Sequence, residues 1–233
     1  MKNELIQILV SWLIYLHIFA GAVALCTFII PLVSKKGGGL HVKVGKLYVY
    51  SMAFVVISSL IITPWRAFFD SSRTTSSISF SIFLFFIAIL TATALWSGLS
   101  VLKFKQRESP SHRIFHIGPP ILLLILGFAT QVLGIFQKNL LLIIFPFVSY
   151  FIVKDQLQYW LKKPDTKMHW WYFHMSNMIT ACIATVTAFL VTALPRIFPD
   201  NDLVNSPVLW VAPGLILGFV AKKWTAQYKV RFP

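Results

Sequence analysis

Seven long apolar runs dominate this sequence, and short segments rich in basic or turn-forming residues separate them. A run of about 20 apolar residues can cross the hydrocarbon core of a bilayer as a helix, because a helix satisfies its own backbone hydrogen bonds. We predict spanning helices over 5–30, 41–63, 78–102, a fourth between the basic loop 103–113 and Phe136, then 140–154, 168–192 and 208–220. The predicted fold is all-α: a polytopic membrane helix bundle in which residues 1–233 form a single domain of seven transmembrane helices.

Two prolines are predicted to interrupt these helices. Pro64 stands between Thr63 and Trp65, so we expect the second helix to end there, at a membrane interface. Pro213-Gly214 is expected to break or kink the seventh helix. The first apolar run continues well past the small residues Ala20-Gly21-Ala22, which predicts a retained helix rather than a cleaved signal peptide.

The composition excludes an ordinary soluble domain, since 57% of the residues are hydrophobic, 12% are charged and the mean hydropathy is +0.75. The net charge of +14 does not indicate nucleic acid binding, because the basic residues occupy short clusters between apolar runs. Sixteen of the 21 lysines and arginines fall on alternate loops, in segments 35–46, 103–113, 154–167 and 222–231. Basic loops favour the cytoplasmic side, which predicts an N-terminus outside the cell and a C-terminus in the cytoplasm.

His174 opens a stripe of small and polar residues on the sixth predicted helix. The stripe repeats at spacings of 4, 3, 4, 3 and 4 residues: His174, Met178, Ala181, Thr185, Ala188 and Thr192. At about 100° per residue these side chains share one face. Small and hydroxyl side chains in a membrane helix belong against other helices, so His174 is predicted to face the bundle interior. His169 lies about 140° round the helix from His174, and we expect it at the membrane interface.

Four other histidines are candidates for a functional site. His17 in the first helix and His41 in the second also lie on stripes that contain glycine and other small residues. His112 and His116 are four residues apart, so they share one helix face and can chelate a metal. This spacing lacks the glutamate of a HExxH motif and does not indicate a zinc protease.

Histidines from four different helices are therefore predicted to meet in one cofactor centre on the cytoplasmic side: His17, His41, His116 and His174. A metal ion would take a slightly different set of ligands: His41, His112, His116 and His174. Five further residues are predicted to support the centre through charge, hydrogen bonds or packing: Asp155, Lys46, Arg113, Tyr48 and Met178.

Short motifs along the chain carry a family resemblance: His17-x3-Gly21-x2-Ala24-Leu25, His41-x3-Gly45-Lys46-x-Tyr48, His174-x3-Met178 followed by Thr187-Ala188-Phe189, and Trp210-x2-Pro213-x4-Gly218. With these motifs the chain resembles a family of bacterial multi-pass membrane proteins that is classed as a domain of unknown function. The resemblance spans nearly the whole chain and implies a location in the bacterial inner membrane. It supports a functional role for His17, His41 and His174, and it implies no particular reaction.

Three classes of function fit these residues. We favour membrane electron transfer by a b-type haem or a redox metal, since histidines and cationic partners are abundant whereas acidic groups are scarce. A zinc-dependent membrane hydrolase would use three histidines as zinc ligands and Asp155 as the base, but the sequence offers no strong carboxylate candidate within the membrane. A proton-coupled or metal-ion transporter could use the histidines as a ladder. The expected cofactor is haem b or an ion of zinc, copper or iron; the expected partners are the bilayer and a quinone or other lipid-soluble substrate.

Overall fold

The computed structural model describes residues 2–202, 206 and 208–231, and the regular secondary structure within them is entirely helical. The α-helices are, in chain order, α1 Lys2–Thr27, α2 Ile29–Val33, α3 Gly39–Phe68, α4 Thr75–Ser100, α5 Ile114–Gln137, α6 Leu140–Leu161, α7 His169–Thr192, α8 Leu194–Ile197 and α9 Val208–Arg231. A short 3-10 turn, Val101–Lys103, follows α4. Among the described residues, seven helical segments are long and apolar enough to cross a membrane, which confirms the predicted number of spans.

Three helices extend beyond their predicted ends. α3 continues through Pro64, so the prediction that it ends there was wrong. α9 continues through Pro213, so this proline does not break the helix, and a kink at Pro213 stays a prediction. Proline removes one backbone donor, but membrane helices tolerate that loss where neighbouring groups satisfy the freed carbonyl. α6 runs to Leu161 rather than 154, because Gln156 and Trp160 in its last turns are buried in the bundle and not in a loop.

The most buried helix of the bundle is α4. In its most apolar stretch 56% of the residues are buried, against 6% in the N-terminal span and in α9. α4 packs against α3 and α7 and also against α5 and α6, whereas α1 packs mainly on α3, and α9 on α7. Small side chains on α4, such as the fully buried Ala94, allow helices to approach it from several directions.

The stripes predicted from the histidine positions do face other helices. One buried cluster joins Ala24 of α1, Tyr48 and Met52 of α3, and Ala181 of α7, together with side chains of α4. The Tyr48 hydroxyl lies 3.0 Å from Thr185 Oγ1, which ties α3 to α7 within this cluster. The small-residue stripe of α7 is therefore a packing surface, as predicted.

One end of the bundle collects most of the positive charge. Because successive spans alternate in direction, the segments 34–38, 104–113 and 162–168 lie at the same end, as does the C-terminal end of α9. We call this the basic end. Its assignment to the cytoplasm stays a prediction from the charge distribution.

Candidate functional site

Two histidines at the basic end, His41 and His174, have the same hydrogen-bonding arrangement. His41 lies in the first turn of α3, and its Nδ1 donates to the Pro31 carbonyl at 3.1 Å. His174 lies in the second turn of α7, and its Nδ1 donates to the Gly98 carbonyl at 2.7 Å. A carbonyl oxygen can only accept, so Nδ1 carries the hydrogen and Nε2 of each neutral ring presents a lone pair.

The two histidines lie at the same end of the bundle, and both side chains are half-buried. His174 is within electrostatic reach of His41, Lys36 and Lys105. We refer to His41 and His174 as the histidine pair. Backbone carbonyls of two different helices orient the two imidazoles, so that Nε2 of each ring can take a ligand when the ring is neutral.

Two lysines flank the histidine pair, and both are held against tryptophan rings. Lys36 Nζ donates to the Pro31 carbonyl at 2.9 Å, the same oxygen that accepts from His41, and it lies 4.9 Å from the Trp224 ring centre. Partial burial lowers the pKa of the Lys36 ammonium group. Lys105 Nζ lies 4.6 Å from the ring centre of Trp170. The pair therefore sits in a positively charged environment at the basic end.

Close contact between α4 and α7 at Gly98 brings His174 to its carbonyl partner. A Cβ at Gly98 would stand 2.4 Å from Met178 Cε and 3.1 Å from Asn177 Cβ, distances that a side chain cannot occupy without movement. Met178 lies one turn after His174 on the same stripe, so the absence of a side chain at Gly98 permits the hydrogen bond as well as the packing.

His17 lies far from the histidine pair. Its Nδ1 is 2.8 Å from Ser58 Oγ, and Ser58 is 17 residues beyond His41 on α3. That separation corresponds to about 25 Å along the helix. The prediction that His17 shares a centre with His41 and His174 therefore has no support in the geometry.

His116 occupies a separate aromatic cluster at the basic end. It is 1% exposed, its ring stacks on Trp160 at 3.6 Å between centroids, and its Nδ1 lies 2.9 Å from Ser111 Oγ. Trp160 in turn contacts Phe173 of α7, and His174 has a different partner, the Gly98 carbonyl. His112 is exposed and lies on the surface of the preceding loop. The spacing of His112 and His116 does not produce a chelating pair, because α5 begins only at Ile114.

The four-histidine metal centre is not formed in the part of the chain that the structure describes. Within these residues, no three or more side chains of the ligand types His, Cys, Asp and Glu are arranged to hold a metal ion. Of the predicted ligands, His41 is the one within electrostatic reach of His174, while His17, His112 and His116 have other surroundings. The position of His17 in the middle of the first apolar run already indicates a greater depth in the membrane than that of the other histidines. Periodicity gives only the helix face, and it does not show which of the histidines at the basic end come together.

The residues predicted to support the centre have different environments. Three are exposed: Lys46, Arg113 and Asp155. Tyr48 is buried, but its hydroxyl is engaged by Thr185 on α7. Met178 packs on Gly98 beside the histidine pair. Sequence reasoning missed two supporting residues, Lys36 and Lys105. In the sequence they serve only as evidence for membrane topology, whereas in the structure each ammonium group lies against a tryptophan ring from another segment.

Comparisons with known proteins give no match: none of the protein-family models, the curated proteins or the solved structures is significantly similar to this chain. The resemblance to the bacterial membrane family stays a prediction from the short motifs.

Proposed function

We propose that this protein is a membrane electron carrier that binds a b-type haem, or another redox-active metal group, through His41 and His174. The observation that carries the proposal is the shared arrangement of the two rings, in which backbone carbonyls accept from both Nδ1–H groups and each neutral ring keeps a lone pair on Nε2 for a metal. Metal-bound histidines characteristically donate their other ring nitrogen to a carbonyl or carboxylate, which fixes the tautomer and makes the ligand more basic.

The charges around the histidine pair also suit a haem. Lys36 and Lys105 supply positive charge near His174, and haem propionates pair favourably with such groups. A bound haem would supply one-electron chemistry, while the chain's own residues set the orientation of the two imidazoles and the charge beside them. Location at one end of the bundle would place the site within reach of a quinone in the bilayer and of a donor at the membrane surface.

A zinc-dependent hydrolase is less well supported by this geometry. Catalytic zinc uses three protein ligands and an open position for water, and in the described residues the histidine pair has no third ligand of the usual types. Asp155, the carboxylate considered as a base, is exposed on α6. A haem or other redox-active group would be held by His41 and His174, a set of two ligands that needs no third side chain.

The test compares the purified wild-type protein with His41→Ala, His174→Ala and the control His112→Ala. His112 is the matched control because it is an exposed histidine at the same end of the bundle. Absorbance spectra of oxidised and dithionite-reduced protein detect haem, and elemental analysis detects iron, copper or zinc. We expect wild type and His112→Ala to contain the same cofactor in equal amounts, and each alanine variant of the histidine pair to lose most of it.

Size-exclusion profiles of all four proteins establish that they are folded before cofactor content is compared. Wild-type protein that contains neither haem nor a stoichiometric redox metal, and that does not take up added haem, would contradict the proposal. Equal cofactor content in the four proteins would also contradict it, because the ligands would then lie elsewhere.

A further inference from the structure

A second feature of the basic end is a cavity of about 600 Å³ between two loops. One wall is the segment 105–108, which follows α4, and the other is the segment 163–170, which connects α6 to α7 and includes the start of α7. The cavity is a different part of the surface from the histidine pair, although Lys105 lies near both.

Positive charge predominates in the lining of this cavity. Four cationic side chains face two carboxylates: Lys105, Arg107, Lys163 and Lys167 against Glu108 and Asp165. The first turn of α7, a helix of 24 residues, also borders the cavity and adds the partial positive charge of a helix N-terminus. A concave surface with an excess of one charge concentrates ions of the opposite sign.

Arg107 holds the two walls together. One of its terminal nitrogens donates to the Ser109 carbonyl at 2.7 Å and to the Lys162 carbonyl at 2.9 Å, and the other donates to the Tyr159 carbonyl at 2.6 Å. These acceptors are neutral, so the guanidinium keeps its full positive charge. The guanidinium carbon also lies 4.7 Å from the ring centre of Tyr159. The hydrogen bonds of Arg107 therefore tie together the loops that bound the cavity, and they leave its positive charge in place.

We propose that this cavity binds a small organic molecule that carries a phosphate group. Lysines and a helix N-terminus recognise phosphate oxygens through charge-assisted hydrogen bonds. The volume exceeds that of a single phosphate ion and falls within the usual range for small-molecule sites, which leaves room for an organic portion beside Trp170. Two sources share this chemistry: the headgroup of an anionic phospholipid and a soluble phosphomonoester.

The experiment uses full-length protein in nanodiscs of neutral phosphatidylcholine. The soluble probe is glycerol 3-phosphate, whose binding is measured by calorimetric titration. The lipid probe is phosphatidylglycerol, which is incorporated in a parallel set of nanodiscs, and its effect is measured as a change in the unfolding temperature. The test variant is Lys163→Gln with Lys167→Gln, both exposed in the α6–α7 loop. The control is Lys222→Gln with Lys223→Gln, which removes two exposed charges from α9 at the same end but outside the cavity.

We expect the test variant to bind the effective probe about tenfold more weakly than wild type, since two charge-assisted contacts are removed, while the control stays close to wild type. Binding of glycerol 3-phosphate identifies a soluble ligand, and stabilisation by phosphatidylglycerol alone identifies the lipid headgroup. The proposal is overturned if wild type responds to neither probe. It is equally overturned if the two variants weaken binding to the same extent, because the effect would then come from general surface charge. The cofactor content of the histidine pair plays no part in either readout.

Discussion

At the scale of single residues, three histidines of this chain differ in whether their partner fixes which ring nitrogen carries the hydrogen. The Gly98 carbonyl beside His174 can only accept a hydrogen bond, so it fixes the tautomer of that ring. Ser58 beside His17 carries a hydroxyl that both donates and accepts, and it leaves the position of the ring hydrogen open. His116 is held by stacking on Trp160. The carbonyl partners of His41 and His174 leave the lone pair on Nε2 of each neutral ring, and this shared arrangement is the reason why the proposed site has these two members.

Asp70, in the turn between α3 and α4, provides a prediction on pH dependence. Its Oδ1 accepts from the Ser72 backbone N–H at 2.9 Å and from the Ser72 hydroxyl at 2.7 Å, and these bonds hold the pKa of the carboxyl below its ordinary value. A lowered folded-state pKa means that the ionised carboxylate stabilises the fold above the unfolded pKa of about 3.9, and that this contribution disappears as pH falls through the folded pKa. Asp70→Asn should therefore be less stable than wild type at neutral pH and equal to it in strong acid.

Thermal unfolding of both proteins between neutral and strongly acidic pH measures this difference. Ser72→Ala serves as the control, because it removes the hydroxyl donor while keeping the carboxylate, and it should reduce the pH-dependent part of the stability. A stability difference between wild type and Asp70→Asn that is the same at every pH would show that the hydrogen bonds do not depend on ionisation.

At the scale of helices, glycines allow certain pairs of helices to pack closely. Gly98 on α4 lies against α7, where an added Cβ would meet Asn177 Cβ at 3.1 Å. Gly134 on α5 lies against the start of α6, and there the nearest atoms include Leu142 backbone at 2.8 Å. By contrast, a Cβ at Gly118 would meet only Ile114 side-chain atoms of its own helix at 3.8 Å, an ordinary contact.

Replacing Gly98 should therefore disturb the histidine pair as well as the packing. In Gly98→Ala the flexible end of Met178 must turn away and Asn177 must shift by a few tenths of an ångström, and overpacking typically costs about 1–3 kcal/mol. The shift would also lengthen the hydrogen bond from His174 to the Gly98 carbonyl. The control Gly118→Ala should be neutral or slightly stabilising, since alanine favours a helix over glycine by about 1 kcal/mol.

Unfolding temperature and cofactor content, measured separately on the two glycine variants, distinguish these effects. We expect Gly98→Ala to lower both quantities and Gly118→Ala to lower neither. If Gly98→Ala unfolds at the same temperature as Gly118→Ala, the contact between α4 and α7 is not as tight as described.

At the scale of the whole molecule, burial falls from the centre of the bundle outwards. α4 contacts four of the other spans, whereas α1 and α9 each lie at the outside and expose large apolar side chains. Examples on α1 are Trp12 and Phe19, which are 63% and 69% exposed. In a bilayer such side chains contact lipid tails at no cost, so the bundle does not need a core of the kind that a soluble domain of this size requires.

The charge asymmetry predicts how the bundle sits in the membrane. Gln106 and Ser72 lie in exposed loops at opposite ends of the bundle. Each is replaced by cysteine in a protein whose own cysteines, Cys26 and Cys182, have been changed to serine. A membrane-impermeant thiol reagent applied to intact cells should label Ser72→Cys and leave Gln106→Cys unlabelled until the cells are opened. The reverse labelling pattern would place the basic end outside and invert the predicted topology.

The sequence alone determined the class of fold and the number of spans, because both depend on the length and polarity of local runs. It also determined that the stripe of α7 around Ala181 is buried, since helical periodicity fixes which side chains share a face. The far ends of α3, α6 and α9 were not determined in this way, because residues such as Gln156 are polar in sequence yet are buried by neighbouring helices.

Only the tertiary structure decided which histidines meet. The order of helices around the bundle depends on contacts between residues far apart in sequence. These contacts hold His41 within electrostatic reach of His174, and they place Ser58, the partner of His17, about 25 Å along α3 from His41. The cavity between the two basic loops depends in the same way on Arg107, which bonds a carbonyl 55 residues further along the chain. Sequence periodicity shows which side chains share one face of a helix. A site also depends on which residues of different helices lie side by side, and only the packing of the helices sets that arrangement.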